Sequence, residues 1–314
     1  MLFIAKIIPQ YRRDILEKSK VEYIQLVDEV NEQKWLSSKK TVISWKRIIT
    51  EKTVIVGDYN IQSSIIIIIR FLLFKKVFIA SDWHPIQNQK PIKVLRKKIL
   101  ESISNGFIQG SPAAKPFSNK TKIKGLLYMS SMISFAPDQI EKEIDFIYIG
   151  QFIDRKNISY TIQVFNELSK RDLKCVAIGF QGNENKNVLS EIQKSKFPVL
   201  RSVNWVEAQN YLRKSKFLFY PSREDVWGLT TLEALNNYCL PLFTNETISM
   251  NFYSNKLEGL NNYKISGQLK EDLNLCLTLN YNTKYLKMIT AEYRMIEDKL
   301  IRESIDSLQL LKSE

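Results

Sequence analysis

Short apolar runs alternate with longer amphipathic stretches along the whole chain. In the first half, Leu2–Ile8, Tyr23–Val27, Val54–Val56 (closed by Gly57-Asp58) and Val77–Ala80 read as strands, and Arg12–Lys20 as a helix. Ile61–Phe74 carries five consecutive isoleucines, where periodicity alone does not separate a buried helix from a strand. Strands on either side of it predict a helix. In the second half, strands are predicted at Asp145–Ile149, Leu173–Ile178 (ending at Gly179), near Val199, at Lys216–Tyr220 and at Leu240–Phe243. Between them, Ile158–Arg171, Asn187–Ser195, Val206–Ser215 and Leu229–Tyr238 read as helices, and Tyr285–Leu311 as one or two long amphipathic helices. Such strand–helix alternation predicts an α/β fold of parallel sheets covered by helices.

Pro91–Ile103 combines two patterns. Ile92, Leu95, Ile99 and Ile103 recur at near-helical spacing, while Lys90, Lys93, Arg96, Lys97 and Lys98 supply cations. Two readings stay open: a basic amphipathic helix lying on anionic lipid headgroups, or a surface helix whose apolar stripe covers the sheet while its lysines are solvated. Pro112, Pro116 and Pro137 then punctuate the chain, and a domain boundary is expected near Ala136-Pro137-Asp138. The 314 residues suit about two domains. The expected division is 1–138, 139–282 and a helical segment 283–314.

Composition narrows the classes. At 44% hydrophobic residues each domain can bury a core. Cys175, Cys239 and Cys276 form no Cys-x-x-Cys pair, which suits a reducing cytosol. His84 is the sole histidine, so no metal-ligand spacing exists and no metal is expected. Leu2–Ile8, broken by Lys6, is too short for an export signal. Ile61–Phe74, containing Arg70, is too short to span a bilayer, for which about 20 residues are needed. A cytoplasmic protein, peripheral on the membrane at most, is the expectation. The net charge of +13 is unevenly placed: residues 1–142 hold 24 Lys/Arg against 12 Asp/Glu, and the remainder 22 against 21. That asymmetry points to an anionic partner for the first half.

The stretch Phe219–Phe243 carries the chemistry. It reads as a strand, a polar loop ending on Gly228, a helix and a second strand. The helix therefore offers free N–H groups and its positive dipole end above the sheet, a site for a phosphate or diphosphate. Asp225 lies in the loop, and Glu233 lies one residue over two turns further on, inside the helix. The pair can bracket a ligand with an anion at the helix tip and hydroxyls near the carboxylates. A nucleotide sugar has that anatomy.

Acid-x7-acid at Asp225 and Glu233, followed by Glu-Ala and the Leu-Pro strand, resembles the donor-site signature of retaining glycosyltransferases of the GT-B fold, family 4 (glycosyl transferases group 1). Phe146-Ile-Tyr-Ile-Gly-Gln-Phe-Ile-Asp-Arg-Lys-Asn157 is similar to that family's strand-Gly-loop-Lys element. The resemblance implies two Rossmann-like domains with a cleft between them and a C-terminal helix that returns to the first domain. It places Asp225 by the donor sugar, Glu233 on the ribose, and Lys156 on the diphosphate with Arg155 as an added cation. Gly150, Gly228, Leu229 and Thr230 line the same site through backbone. Gln151 stands where many members have Arg, and no Gly-rich loop follows the first strand. The loop Val203–Trp205 is expected to border the nucleobase, so Trp205 either packs on the base or belongs to the core. In Asp82-Trp83-His84-Pro85, His84 either stands beside the donor sugar as a catalytic group or is structural.

The resemblance implies retaining transfer from a nucleotide sugar, a UDP-sugar favoured and a GDP-sugar the alternative, without cofactor or metal. Ile8-Pro9-Gln-Tyr-Arg12 resembles the opening of bacterial members acting on lipid-linked or polysaccharide acceptors, so a glycan or lipid-linked acceptor and an anionic membrane surface are the expected partners. Two other classes compete. One is a catalytically silent GT-B subunit serving another enzyme. The other is a basic nucleic-acid-binding protein, for which no motif is present and no nucleic acid is expected.

Overall fold

Successive residues of the first strand, β1 (Leu2–Ala5), face opposite ways: Leu2 and Ile4 enter one apolar cluster, Phe3 and Ala5 another. The same alternation along its neighbours produces a sheet buried on both faces. The computed structural model describes residues 1–5, 10–25, 45–57, 59–81, 91–128, 141–180, 186–201, 203–225 and 227–313. They form two units, Met1–Ser130 with Ile296–Glu314, and Ser131–Met295. The expected boundary at Ala136-Pro137-Asp138 and the loop Asp82-Trp83-His84-Pro85 lie outside the described residues.

The first unit holds six parallel strands in the order β2-β1-β3-β4-β5-β6. They are β1, β2 (Glu22–Gln25), β3 (Thr53–Gly57), β4 (Lys76–Ser81), β5 (Gly106–Gln109) and β6 (Ile123–Leu126). Helices α2 (Trp45–Thr50), α3 (Ile61–Leu72) and α4 (Pro91–Ile103) contribute Ile48, Ile66, Ile67 and Leu100 to the core on one face. The other face is covered by α1 (Gln10–Lys18) and by the end of α11 (Thr283–Ser313), through Ile15, Leu16, Leu308 and Leu311. Tyr128 and Leu126 donate their N–H groups to the hydroxyls of Ser304 (2.9 Å) and Ser307 (3.2 Å). Gly125 permits that approach, since a Cβ there would lie 2.7 Å from that of Ser307.

The isoleucine run is helical, and Asn60 caps α3 by accepting from the Ser63 N–H at 2.7 Å. Its single charge, Arg70, is fully buried because the guanidinium donates to the carbonyls of Ile48, Glu51, Lys52 and Lys76. Helix α4 corrects one sequence reading. Its inward face is Val94, Lys97, Leu100 and Glu101, while Ile92, Leu95 and Ile99 point to solvent, so the apolar stripe does not cover the sheet. Only Ile103 of that stripe packs partly against the core. The buried charges are tolerated because each is satisfied. Lys97 Nζ sits 4.4 Å from the centre of the Phe117 ring, and Glu101 accepts from the N–H groups of Phe117 and Ser118 and from the Tyr59 hydroxyl.

The second unit holds five parallel strands in the order β11-β10-β7-β8-β9: β7 (Ile144–Gln151), β8 (Cys175–Phe180), β9 (Val199–Arg201), β10 (Ser215–Tyr220) and β11 (Leu240–Phe243). Helices α5 (Ile158–Ser169), α6 (Lys186–Gln193), α7 (Trp205–Lys214) and α8 (Leu229–Asn236) connect them, followed by α9 (Ile248–Ser254), α10 (Leu269–Thr278) and the start of α11. The chain runs outward from β7 through β8 to β9, then returns to the other side of β7 to lay down β10 and β11. The order reverses between β7 and β10, and the carboxyl ends of these two strands flank a crevice where ligands of open α/β sheets collect.

Among the described residues no helix is long and apolar enough to cross a membrane, and no group of side chains is placed to hold a metal ion. The three cysteines are free and buried.

Candidate active site

Two loops meet where the strand order reverses. The first leaves β7 at Gly150-Gln151 and closes as a single 3-10 turn, Asp154–Lys156, before Asn157 in left-handed conformation (φ 56°) starts α5. The second leaves β10 at Tyr220, passes Asp225, and enters α8 through Gly228. Hydrogen bonds lock them together: the Arg223 N–H donates to the Arg155 carbonyl (3.0 Å), and the Arg155 side chain donates through Nη1 to the Glu224 carbonyl (3.0 Å). The Ser222 hydroxyl bonds to both of those carbonyls.

Lys156, Tyr220 and Asp225 converge in this junction. Lys156 Nζ lies 2.5 Å from Asp225 Oδ2 and 2.6 Å from the Tyr220 hydroxyl, which itself donates to the same carboxylate oxygen. Asp225 Oδ1 accepts from the Gly228 N–H at 3.2 Å. Burial drags the Lys156 ammonium below its ordinary value, and Asp225 opposes it. Burial and then the Asp225 charge push the Tyr220 hydroxyl well above its own, so Tyr220 stays a donor. The result is a nearly dry cation–carboxylate pair facing the first turn of α8. Tyr148, below it, donates to the Gln151 carbonyl at 2.9 Å and packs under Gly150, where a Cβ would meet the Tyr148 hydroxyl at 3.0 Å.

Gly228 is required by its backbone. Its φ of +68° lies in the left-handed region, and a Cβ would come within 3.0 Å of Thr247 Cγ2 and 3.1 Å of Ser249 Oγ. Thr247 and Ser249 follow β11, and Thr247 pairs with Asp225 in an isolated parallel bridge. Thr247 Oγ1 is fully buried and has no partner among the described residues, while Thr231 bonds to the Gly228 carbonyl and to Ser249. Leu229 and Thr230, the first residues of α8, are half-buried.

Glu233, just over one turn into α8, is half-buried and accepts from Trp205 Nε1 at 3.3 Å. Trp205 opens α7 behind an Asn204–Glu207 capping box and is half-buried itself, so it is not a core tryptophan. Burial raises the Glu233 carboxyl to about 7, against smaller opposing pulls from Trp205 and Gln209. From 4.5 in the unfolded chain to about 7 in the folded one, the native state holds the extra proton. Stability should therefore fall as pH rises through that window and level off above it, by on the order of 1–2 kcal/mol after allowing for partial exposure. Glu233→Gln should flatten that slope, as read from denaturant midpoints across the window.

Of the site residues read from the sequence, Lys156, Arg155, Asp225, Gly150 and Gly228 come together at the junction, Leu229 and Thr230 begin its helix, and Glu233 meets Trp205. His84 lies outside the described residues. Tyr220, Tyr148, Thr247 and Ser249 belong to the site and were not singled out by sequence. For Tyr220 a signal existed: a hydroxyl on the last residue of an apolar strand needs a polar partner at the carboxyl end.

Residues 132–260 match the family described as Glycosyl transferases group 1. No curated protein matches in sequence. Among solved structures the chain is similar to TarM (17% identity, TM-score 0.57), over 82% of this chain and 53% of that one. It is similar to the pneumococcal O-GlcNAc transferase GtfA, solved with UDP and GlcNAc (12%, TM-score 0.64, 86% and 59%). A glycosyltransferase from Rickettsia africae ESF-5 matches over nearly the full length of both chains (12%, TM-score 0.60, 99% and 96%). The chain thus spans just over half the length of TarM and GtfA. The shared architecture is GT-B.

Proposed function

We propose that this chain, which has the GT-B fold and whose residues 132–260 match the glycosyl transferases group 1, transfers a sugar from a nucleotide-sugar donor to a lipid-linked or polysaccharide acceptor in cell-surface glycan synthesis. The observation that carries it is the Lys156–Asp225 pair, bridged by Tyr220 and bonded to the Gly228 N–H at the mouth of α8. In this reading the diphosphate displaces Asp225 from Lys156 and settles on that ammonium, the first amides of α8 and Arg155. These groups neutralise the charge that grows on the leaving diphosphate, an electrostatic contribution that is largest in a dry site. Asp225, released, takes the hydroxyls of the donor sugar. Glu233 and Trp205 receive the ribose and the edge of the base.

Retention follows from same-face attack through an oxocarbenium-like state, in which the acceptor proton passes to the departing diphosphate and no separate base is used. No metal is needed in this reading, because Lys156, Arg155 and the positive end of α8 would neutralise the diphosphate. A UDP donor is favoured because GtfA and a mutant of S. aureus TarM, of the same fold, were solved with UDP. The lipid-linked acceptor is favoured by the cationic first half. The test is UDP release from UDP-sugars by the purified protein, with and without a polyprenyl-phosphate-linked acceptor. Turnover of one UDP-sugar supports the proposal. No turnover of any UDP- or GDP-sugar, with nucleotide still bound, means a silent subunit.

A further inference from the structure

We propose that the outer surface formed by α3 and α4 docks the protein on an anionic lipid bilayer. The two helices pack against one another on the same face of the first unit's sheet. Each turns an apolar stripe outward. Ile61, Ile65 and Ile68 of α3 are 44–70% exposed, and Ile92, Leu95 and Ile99 of α4 are 52–75% exposed. Exposed apolar side chains are ordinarily scattered singly, and adjoining stripes of this kind mark an interaction surface.

Phe74, in the turn that ends α3, adds a second observation. Its side chain is 98% exposed and its φ is +53°. The turn is closed by the Lys75 N–H on the Arg70 carbonyl and the Phe74 N–H on the Phe71 carbonyl, a helix ending whose left-handed position favours glycine. An aromatic ring is thus held in water on a backbone that disfavours any side chain. Seated in a bilayer, the same ring is buried.

Charge selects the kind of bilayer. Between Ile61 and Leu100 the sequence carries Arg70, Lys75, Lys76, Lys90, Lys93, Arg96, Lys97 and Lys98 against one acid, Asp82. Arg70 and Lys97 are turned inward, whereas Lys75, Lys93 and Lys98 are exposed beside the stripes. Apolar residues flanked by lysines match the hydrocarbon–headgroup boundary of an anionic leaflet, with phosphates at the lysines and acyl chains under the stripe. The inference rests on the proposed lipid-linked acceptor for its purpose alone, since docking would present such an acceptor to the enzyme.

The experiment is cosedimentation of the whole chain with phosphatidylcholine vesicles, with and without phosphatidylglycerol, alongside UDP-dependent melting measured without vesicles. Binding to the anionic vesicles should exceed binding to the neutral ones at least about tenfold and should weaken as salt is raised. Phe74→Gly and the pair Leu95→Gln, Ile99→Gln should each lower it about tenfold. Phe74→Gly should melt no lower than the parent, because glycine suits that backbone. Equal binding to both vesicle types, or variants that bind like the parent, overturns the proposal. So does a chain that dimerises in solution through this surface, with the variants monomeric and no vesicle bound. Loss of the UDP shift with vesicle binding intact would instead count against the transferase reading.

Discussion

Lys156→Met should leave a folded protein whose transfer rate is lower by about a hundredfold to a thousandfold, the effect of removing one preorganised electrostatic contact from a leaving group. The same change leaves Asp225, whose side chain is only 10% exposed, with hydrogen bonds from the Tyr220 hydroxyl and the Gly228 N–H but no countercharge. Removing one partner of such a pair leaves an uncompensated charge, and a loss of about 2 kcal/mol of stability is expected. The two effects separate in the double variant Lys156→Met, Asp225→Asn. There the uncompensated charge is gone, so most of the stability should return, while the rate stays low because nothing replaces the ammonium. Denaturant midpoints and transfer rates on the four proteins check both halves. A double variant that recovers activity along with stability would mean that Lys156 acts through the fold.

Gly228→Val is the second large effect. A β-branched residue at φ +68° costs about 1–2 kcal/mol through backbone strain. Its Cβ must also push against Thr247 and Ser249 at 3.0 and 3.1 Å. The strain is relieved by shifting the first turn of α8, which carries the amides proposed to hold the diphosphate. UDP affinity should drop about tenfold or more, since small displacements of positioning groups are costly. Gly228→Ala should do less, and adding Thr247→Ala should recover the steric share and not the backbone share. Isothermal titration with UDP measures each step. An affinity for UDP that is unchanged in Gly228→Val would detach the helix tip from the nucleotide.

How legible all this was depended on what each pattern encodes. The α8 region was readable because a strand, a Gly-closed loop and a helix with two acids give local signals, and the Lys156 loop after β7 did likewise. The reversal of strand order that brings the two loops together is a long-range property. Tyr220 looked like one more core aromatic in an apolar strand, and Thr247 and Ser249, at the start of α9 after β11, have no chemistry of their own until Asp225 and Gly228 lie against them.

Helix α4 shows a different gap. Spacing reveals that a stripe exists and not which way it faces. One of the two sequence readings left the lysines solvated, yet the Phe117 ring face draws Lys97 inward, backbone N–H groups hold Glu101 beside it, and the apolar residues are left outside. Edge strand β6, Ile123-Lys-Gly-Leu126, is short and interrupted by glycine, and β5 begins on one, so neither announced itself as a strand. The helices α2, α9 and α10 were likewise not read, two of them being only six and seven residues long.

The central claim is that the junction of β7, β10 and α8 holds a nucleoside diphosphate. Its most direct test is the melting temperature of the purified protein with UDP, GDP, ADP and CMP, run in parallel on Glu233→Ala. A nucleotide present at a hundred times its dissociation constant stabilises the fold by about 2.7 kcal/mol, a shift of several degrees. The account predicts that shift with UDP, little with CMP, and its loss in Glu233→Ala. Melting that no nucleotide moves, in a protein that unfolds cooperatively, would contradict it.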